Sequence, residues 1–411
     1  MSFLRSVGVL VSGAAIGHGI TAAALPMLSR LYTPADFSLL AVFGGLVSVI
    51  SVAACLRFDI AIALPEKDED ALTLMVLAIG ISAFVSLTLL MIVLLTPSAI
   101  ADLLQQPVLS GYLWLIPITI LLFSGSSALQ MWCIRQKQFN LISSSRIGQS
   151  AGSSGLQIIA GLLKFGPGGL LFGQTINAAV ACVIFGHSLL RDSTRRLIIR
   201  NTSWQSIRTL YKTYDHFPKY STWEALCNTA SIQLPILVIA AKAVPEEAGY
   251  LMMATYVMQA PTALIGAAVG QVYLSNAAIK HRSGELRAFT LEVLYGLMKT
   301  GIAPLVLIGV LAPFLFGWIF GESWDRAGIL VLWMTPWFIM QFLCAPISMC
   351  LHVSGHQKAA LLLQVFGVVF RLGIVGAACF AAPMIASESY AVTGFVFYAV
   401  YLATVLQMLK R

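Results

Sequence analysis

Three charged residues interrupt the long apolar runs of this chain: Arg371, Glu224 and Lys299. A charge within a membrane span costs roughly 2.5–3.5 kcal/mol on insertion, so each is a candidate functional residue. Arg371 lies in the middle of its run, and no acidic residue occurs within one helical turn of it. The sequence leaves two roles about equally open: Arg371 binds an anionic group in a polar cavity, or it pairs with an acid of another helix such as Glu224.

The other two intramembrane charges have less specific interpretations. Glu224 lies early in its run, where it can bind a coupling proton or cation or simply stay near water at the start of a helix. Lys299 lies near one end of its run and can extend its ammonium group to the interface. Both therefore remain substrate-binding hypotheses with an ordinary structural alternative.

Further polar candidates lie in or beside the apolar runs. Arg57 and Asp59 come at the end of the second run, where they can hold an anion at the membrane boundary or pair with each other, and the sequence slightly favours the pairing. His18 is more often a packing residue than a proton carrier. Asn228 and Gln233 suit hydroxyl groups of a polar ligand, although many such side chains bond between helices.

No other chemistry is indicated. The chain has no Walker A motif, so ATP is not the direct energy source. Its seven cysteines include no CxxC pair, and their apolar surroundings favour small buried side chains over disulfides or a metal site. We therefore expect neither a cofactor, a metal nor catalysis, and coupling to a proton or sodium gradient remains an option.

Composition excludes a soluble protein. The chain has 411 residues, of which 58% are hydrophobic and only 10% charged, whereas soluble domains have about 25% charged residues. A scan for runs of about 20 apolar residues finds twelve spans. They cover residues 7–28, 37–56, 71–95, 111–131, 147–163, 169–190, 220–241, 248–274, 289–316, 329–351, 359–381 and 390–409. The prediction is an all-α, multi-pass membrane protein.

Charge asymmetry predicts the orientation of the spans. The side that holds both termini collects 19 of the 25 lysines and arginines, which places the termini in the cytoplasm. The net charge of +8 is spread over short loops and so indicates anionic membrane lipid, not nucleic acid, as partner. Arg135, Lys137 and Arg146 are assigned to one such loop.

A basic segment at residues 191–219 divides the chain into an N-terminal lobe (1–190, spans one to six) and a C-terminal lobe (220–411, spans seven to twelve). Within it, Trp204, Ile207, Tyr211 and Tyr214 recur at helical spacing, opposite a polar face. This pattern predicts a helix in the plane of the membrane interface, ended by Pro218, with a solvated linker as the alternative.

The two lobes share a sequence pattern. Proline followed by an acid occurs after span one (34–36) and after span seven (245–247), and Trp-x-x-Pro occurs at 114–117 and 333–336. Pro97 and Pro313 are assigned to the ends of spans three and nine. Six spans repeated once form parallel repeats, and in such transporters the substrate site lies between them. We expect alternating access by rocking of the lobes.

The chain resembles the O-antigen and capsule-type flippases of the multidrug/oligosaccharidyl-lipid/polysaccharide exporter superfamily. Four stretches carry the resemblance: LYTPADFS at 31–38, LRFDIAIALP at 56–65, FPKYS at 217–221 with the residues up to Pro235, and FGESWDRAG at 320–328. None is diagnostic alone, but their order and spacing extend over nearly the whole chain. Unlike the lipid II flippases of the superfamily, this chain has twelve spans and no arginine inside the first two.

The resemblance implies a function. Such proteins move undecaprenyl-pyrophosphate-linked oligosaccharide across the bacterial inner membrane for O-antigen, lipopolysaccharide, capsule or exopolysaccharide synthesis, alongside polymerase and chain-length proteins. The diphosphate would then bind Arg371 or the Arg57–Asp59 pair, and sugar hydroxyls the uncharged polar residues. A drug or cation antiporter of the superfamily is the nearest alternative, but it would need intramembrane acids, chiefly Glu224. A polysaccharide polymerase would need a large outer loop, which is absent from the sequence.

Overall fold

The computed structural model describes residues 3–191, 203–283, 285–348, 350 and 357–409. All regular structure in these ranges is helical, as a bilayer requires of segments that must satisfy their own backbone hydrogen bonds. The helices are α1 (Phe3–Leu31), α2 (Pro34–Ala54), α3 (Phe58–Ala61), α4 (Asp68–Leu95), α5 (Pro97–Leu103), α6 (Leu115–Arg135), α7 (Phe139–Leu162), α8 (Gly168–Leu190), α9 (Trp204–Thr213), α10 (Thr222–Lys242), α11 (Glu247–Arg282), α12 (Leu286–Phe320), α13 (Asp325–Ile347), α14 (Gln357–Ala381) and α15 (Ala386–Met408). Short helical turns cover Pro107–Tyr112, Phe217–Ser221, Glu322–Trp324 and Pro383–Ile385.

Twelve of the helices in the described ranges have 21 residues or more, which confirms the twelve predicted spans. Ten of these are long and apolar enough to cross a membrane. One of the other two is α7, which is rich in serine and glycine and contains Arg146. Arg146 was expected in a loop, but that loop is only residues 136–138, so Arg146 lies about two turns inside α7.

Two further expectations need correction. Residues 96–110, read as a loop, contain the whole of α5 and the start of a short helical turn. Pro313 was expected to end its helix, but α12 continues to Phe320. A proline inside a membrane helix is tolerated because neighbouring groups satisfy the freed backbone carbonyl.

The first compact unit comprises Met1–Thr21 and Val42–Gln233. In it α7 packs on α8, and α6 packs on α4 and α8. Glycines allow the first of these contacts, since a Cβ at Gly148 would lie 3.3 Å from Ile184 Cδ1. Hydroxyl groups bond across the other helices, as between Thr119 and Thr175 at 2.7 Å. Small and hydroxyl-bearing side chains thus hold these helices together, as is common in membranes.

The second compact unit comprises Ala22–Ala41 and Leu234–Arg411. Here α13 is central, packing against α11, α12 and α15, while α14 packs on α15. The turn between α1 and α2 also belongs to this unit: Trp324 donates its indole N–H to Ser29 O at 3.0 Å, and its ring lies 5.0 Å from that of Phe37. The lobe limits 1–190 and 220–411 stay a prediction from the sequence repeat.

Candidate functional site

A buried arginine is the main feature of the second unit. Arg371 lies on α14, and its side chain is completely buried at 0% exposure. None of its three guanidinium nitrogens has a hydrogen-bond partner among the residues that the structure describes. Such a group has lost its hydration without gaining bonds in exchange, which is costly for any charged side chain.

Two aromatic rings flank this guanidinium. Its central carbon lies 4.6 Å from the ring centroid of Trp337 on α13 and 4.7 Å from that of Tyr390 on α15. The rings themselves meet edge to face, with centroids 4.9 Å apart. Cation–π contacts of this kind are worth about 2 kcal/mol each when desolvated. Three neighbouring helices therefore form an aromatic box around one positive charge.

Other polar atoms near this box also lack partners. Trp337 Nε1 and Gln364 Oε1 are buried and make no hydrogen bond within the described ranges. Gln364 is two turns before Arg371 on α14 and so lies on the same face of that helix. The indole donor and the guanidinium together can donate hydrogen bonds to an anion, such as a phosphate oxygen, that enters the box.

Two acids of the second unit, the buried Glu247 and the half-buried Glu388, are engaged with another arginine. Arg326 Nε lies 2.9 Å from Glu247 Oε1, and its Nη1 lies 2.6 Å from Glu388 Oε1. Ser387 Oγ donates to the other oxygen of Glu247 at 2.5 Å. This cluster joins the first turns of α11, α13 and α15. The two carboxylates thus neutralise Arg326 and are bound to it rather than to Arg371.

In the first unit, Arg57 and Asp59 form a tight turn between α2 and α3. Leu56 and Arg57 have left-handed backbone angles, with φ of 48° and 60°. Such angles are uncommon for residues with side chains and mark a position that the surrounding packing must hold. Phe58, between the two charged residues, is fully buried and provides that packing.

Each charged residue of this turn has an unused buried atom. Asp59 accepts a hydrogen bond from Ser127 Oγ through Oδ2 at 2.8 Å, while its Oδ1 has no partner. Arg57 Nε is likewise buried and without a partner. The described residues include no ion pair between Arg57 and Asp59, although the sequence slightly favoured one, because the Asp59 carboxylate is turned to α6. The turn therefore presents one cationic and one anionic group with free bonding capacity.

Three predicted residues lie on α10. Asn228 is exposed, while Glu224 and Gln233 are half-buried. Glu224 and Asn228 are four residues apart and so share one face of the helix. Their side chains thus lie on an accessible helix surface, in contrast to Arg371.

Lys299 is exposed on α12 at one end of a groove of about 780 Å³. Beyond Tyr295 and Lys299 the described lining is apolar: Met298, Ile302, Ala303, Val306, Leu307 and Val310. The groove therefore combines one cationic group with an aliphatic wall. His18 is exposed on α1, next to Gly17, where α1 approaches α7 closely enough that a Cβ would lie 3.1 Å from Ser150 Oγ.

Several residues of these sites were not singled out from the sequence. Trp337, Tyr390 and Ser127 are ordinary components of apolar runs, and nothing in their spacing points to Arg371 or Asp59. Glu388 and Arg326 carried a weak signal, since each is a charge within the first turn of a long helix. Their mutual pairing depends on which helices are neighbours, which local spacing does not reveal.

The chain is similar to one family of known proteins and to several solved structures. A family model described as "Polysaccharide biosynthesis protein" matches residues 27–328. A structure of the lipid II flippase MurJ in an inward closed conformation superposes with a TM-score of 0.73 at 12% identity, over 98% of this chain and 87% of that one. No curated protein sequence matches the chain.

Two transporter structures share the fold at lower similarity. A MOP superfamily transporter from Pyrococcus furiosus, described as having a binding pocket of reverse polarity, gives a TM-score of 0.59 at 14% identity over 99% of this chain and 96% of that one. An inward-facing multidrug resistance MATE transporter gives 0.58 at 13% identity, over 100% and 95%. At these identities the likeness is one of fold.

Proposed function

The chain belongs to the polysaccharide biosynthesis protein family, and we propose that it flips undecaprenyl-pyrophosphate-linked oligosaccharide from the inner to the outer leaflet of the bacterial inner membrane. The substrate has three parts with different demands: an anionic diphosphate, polar sugars and a hydrocarbon tail. A protein that moves it needs a cationic group in a dry environment, hydrogen-bonding side chains and an apolar path open to lipid.

The observation that carries the proposal is Arg371. A buried ion costs several kcal/mol even after relaxation of its surroundings, and two aromatic contacts of about 2 kcal/mol each offset only part of that cost. Structural buried arginines normally have carboxylate partners, but the described ion pairs include none for Arg371. A buried cation of this kind suits an anionic substrate, and it would repel a cationic drug.

The groove at Lys299 supports the lipid part of the proposal. Its described lining is aliphatic along about three turns of α12, with the ammonium group of Lys299 at one end. An amphipathic lipid with an anionic head and a hydrocarbon tail has the complementary arrangement. Asn228 and Gln233 then provide hydrogen bonds to sugar hydroxyl groups.

We also propose an orientation, a mode of transport and partners for the protein. Both termini face the cytoplasm in this proposal, because that side holds 18 of the 25 lysines and arginines even when Arg146, which lies inside α7, is left out. Transport in this proposal proceeds by alternating access and is coupled to a proton or sodium gradient. Polymerase and chain-length proteins of the same pathway act on the exported units.

The proposal is tested by deleting the gene and analysing lipid-linked sugars. We expect undecaprenyl-linked oligosaccharide to accumulate facing the cytoplasm and surface polysaccharide to disappear, with both restored by a plasmid copy. Normal surface polysaccharide combined with increased sensitivity to cationic drugs would contradict this proposal and support a drug antiporter instead.

A further inference from the structure

The helix α9 is a short amphipathic element in the basic segment that follows α8. It spans Trp204–Thr213, and Ser203 caps it by accepting a hydrogen bond from the Ser206 backbone N–H at 3.1 Å. No residue of α9 is buried. A helix of ten residues depends on contacts outside itself, because isolated helices of this length are marginal in water.

One face of α9 rests on the first unit. Leu210 and Tyr214 pack against its buried core, which includes Phe58, Leu72 and Trp132. The ring of Tyr211 lies 5.5 Å from that of Phe58. Since Phe58 separates Arg57 from Asp59, α9 is in direct contact with the turn that carries both of these charged residues.

The face of α9 turned away from this contact is cationic, with Arg208 and Lys212 exposed four residues apart. Trp204 lies at the N-terminal end of the apolar face that also carries Tyr211, and it is 77% exposed. Basic side chains are attracted to the anionic phosphates of a cytoplasmic leaflet, and indole rings prefer the headgroup level. This combination fits an anionic bilayer surface better than a soluble acidic partner, which would have no need of the exposed indole.

The turn under α9 depends on external support. Arg57 has a left-handed backbone, and buried polar atoms of Arg57 and Asp59 lack partners, so the conformation is costly by itself. It persists because packing on Phe58 holds it, and α9 supplies part of that packing through Tyr211. A change in the position of α9 therefore alters the packing of the charged turn through the contact between Tyr211 and Phe58.

From these contacts we infer that α9 is a docking surface for anionic lipid headgroups, and that docking holds the Arg57–Asp59 turn in the conformation that receives the substrate. The second part rests on the proposed function, because it takes Arg57 and Asp59 as residues that bind the diphosphate. The first part does not depend on it. The consequence is that activity depends on the anionic lipid content of the inner leaflet.

The test uses hydrogen–deuterium exchange of the full-length protein, without substrate, in phosphatidylcholine bilayers with or without phosphatidylglycerol. Arg208 and Lys212 are attracted to the anionic headgroups of phosphatidylglycerol. We therefore expect this lipid to slow exchange of the α9 amides by about fivefold or more. Amides 56–62 should be protected together with α9. The double variant Arg208→Gln/Lys212→Gln should lose both effects, whereas Arg287→Gln, an exposed charge at the start of α12, should keep them.

A second variant separates docking from coupling. Tyr211→Ala removes the ring in contact with Phe58 but leaves the basic face, so phosphatidylglycerol should still protect α9 and no longer protect amides 56–62. Equal exchange of α9 in both bilayers would overturn the docking. Unchanged lipid-dependent protection of amides 56–62 in Tyr211→Ala would overturn the coupling. Both readouts are independent of transport, so either result can be told apart from a failure of the proposed function.

Discussion

The guanidinium carbon of Arg371 lies 4.6 Å from the ring centroid of Trp337, on the adjacent helix α13. Tyr390 approaches the guanidinium at a similar distance, 4.7 Å. This arrangement holds a positive charge inside the second unit, and its guanidinium nitrogens have no partner at hydrogen-bonding distance and angle among the residues that the structure describes. It is the feature from which the proposed recognition of an anionic substrate follows.

Replacing Arg371 should abolish most export. Arg371→Ala removes donors whose charged hydrogen bonds are each worth about 1.5–3 kcal/mol, so we expect export of surface polysaccharide to fall by about tenfold or more. Because Arg371→Ala also leaves a cavity and removes two cation–π contacts, export is expressed per amount of inserted protein, and Arg371→Met, which fills more of the volume, is measured beside it. The measurements are surface polysaccharide per cell and the amount of protein in isolated membranes.

The matched control is Arg371→Lys, which keeps the charge but not the planar fork of donors. It should retain partial export. Wild-type export by Arg371→Ala would remove this residue from the substrate site.

Trp337 should stabilise the protein mainly through Arg371. Trp337→Leu removes a cation–π contact of about 2 kcal/mol in addition to packing, so the thermal midpoint in detergent should decrease. In an Arg371→Met background the same change should cost less, and the difference between the two costs gives the coupling of the pair. Identical costs in both backgrounds would show that the indole acts only by packing.

Much of the fold follows from hydropathy because a bilayer leaves a chain few choices. An apolar run of sufficient length must form a helix there, and all twelve predicted spans are helices. Short elements at the boundaries, such as α5, follow no such rule and were missed. Arg146 was misplaced for a related reason: one charge in a run of serines and glycines reads as a loop, although the helix continues through it.

The ion-pair cluster at Arg326 should contribute strongly to stability. Arg326→Met leaves Glu247 and Glu388 close together without their common cation. We expect a loss of about 3 kcal/mol, the lower end of the range for buried pairs, because 27% of the Arg326 side chain is exposed. Denaturant titration should detect this change, whereas the exposed Arg287→Met should stay within about 0.5 kcal/mol of wild type. An equally small loss of stability in both variants would mean that the ion-pair cluster at Arg326 does not stabilise the protein.

Gly249 should tolerate no side chain. A Cβ at this position of α11 would lie only 2.0 Å from Pro34 O, at the start of α2. Gly249→Ala therefore forces backbone atoms apart and should destabilise the protein by about 1–3 kcal/mol. Gly266→Ala is the control on the same helix, because no atom of the described residues lies within 4 Å of a Cβ there. Equal thermal midpoints for the two variants would contradict the close approach.

The candidate site was only partly predictable. Arg371 stood out because a lone charge within an apolar run is costly wherever its helix packs. Its partners did not, since Trp337 and Tyr390 meet it through packing of α13, α14 and α15 rather than through any local pattern. The same holds for Asp59, whose carboxylate bonds with Ser127 of α6 instead of the nearby Arg57.

Flipping by the purified protein tests the central claim most directly. The wild type and Arg371→Ala are reconstituted in vesicles that contain a polyprenyl-diphosphate oligosaccharide and across which a proton and a sodium gradient are imposed. A glycosidase added outside measures how quickly inner-leaflet sugar becomes accessible. We expect rapid exposure of the sugar with wild type and about a tenfold slower rate with Arg371→Ala. A rate no faster than in protein-free vesicles, or equal rates for the two proteins, would contradict it.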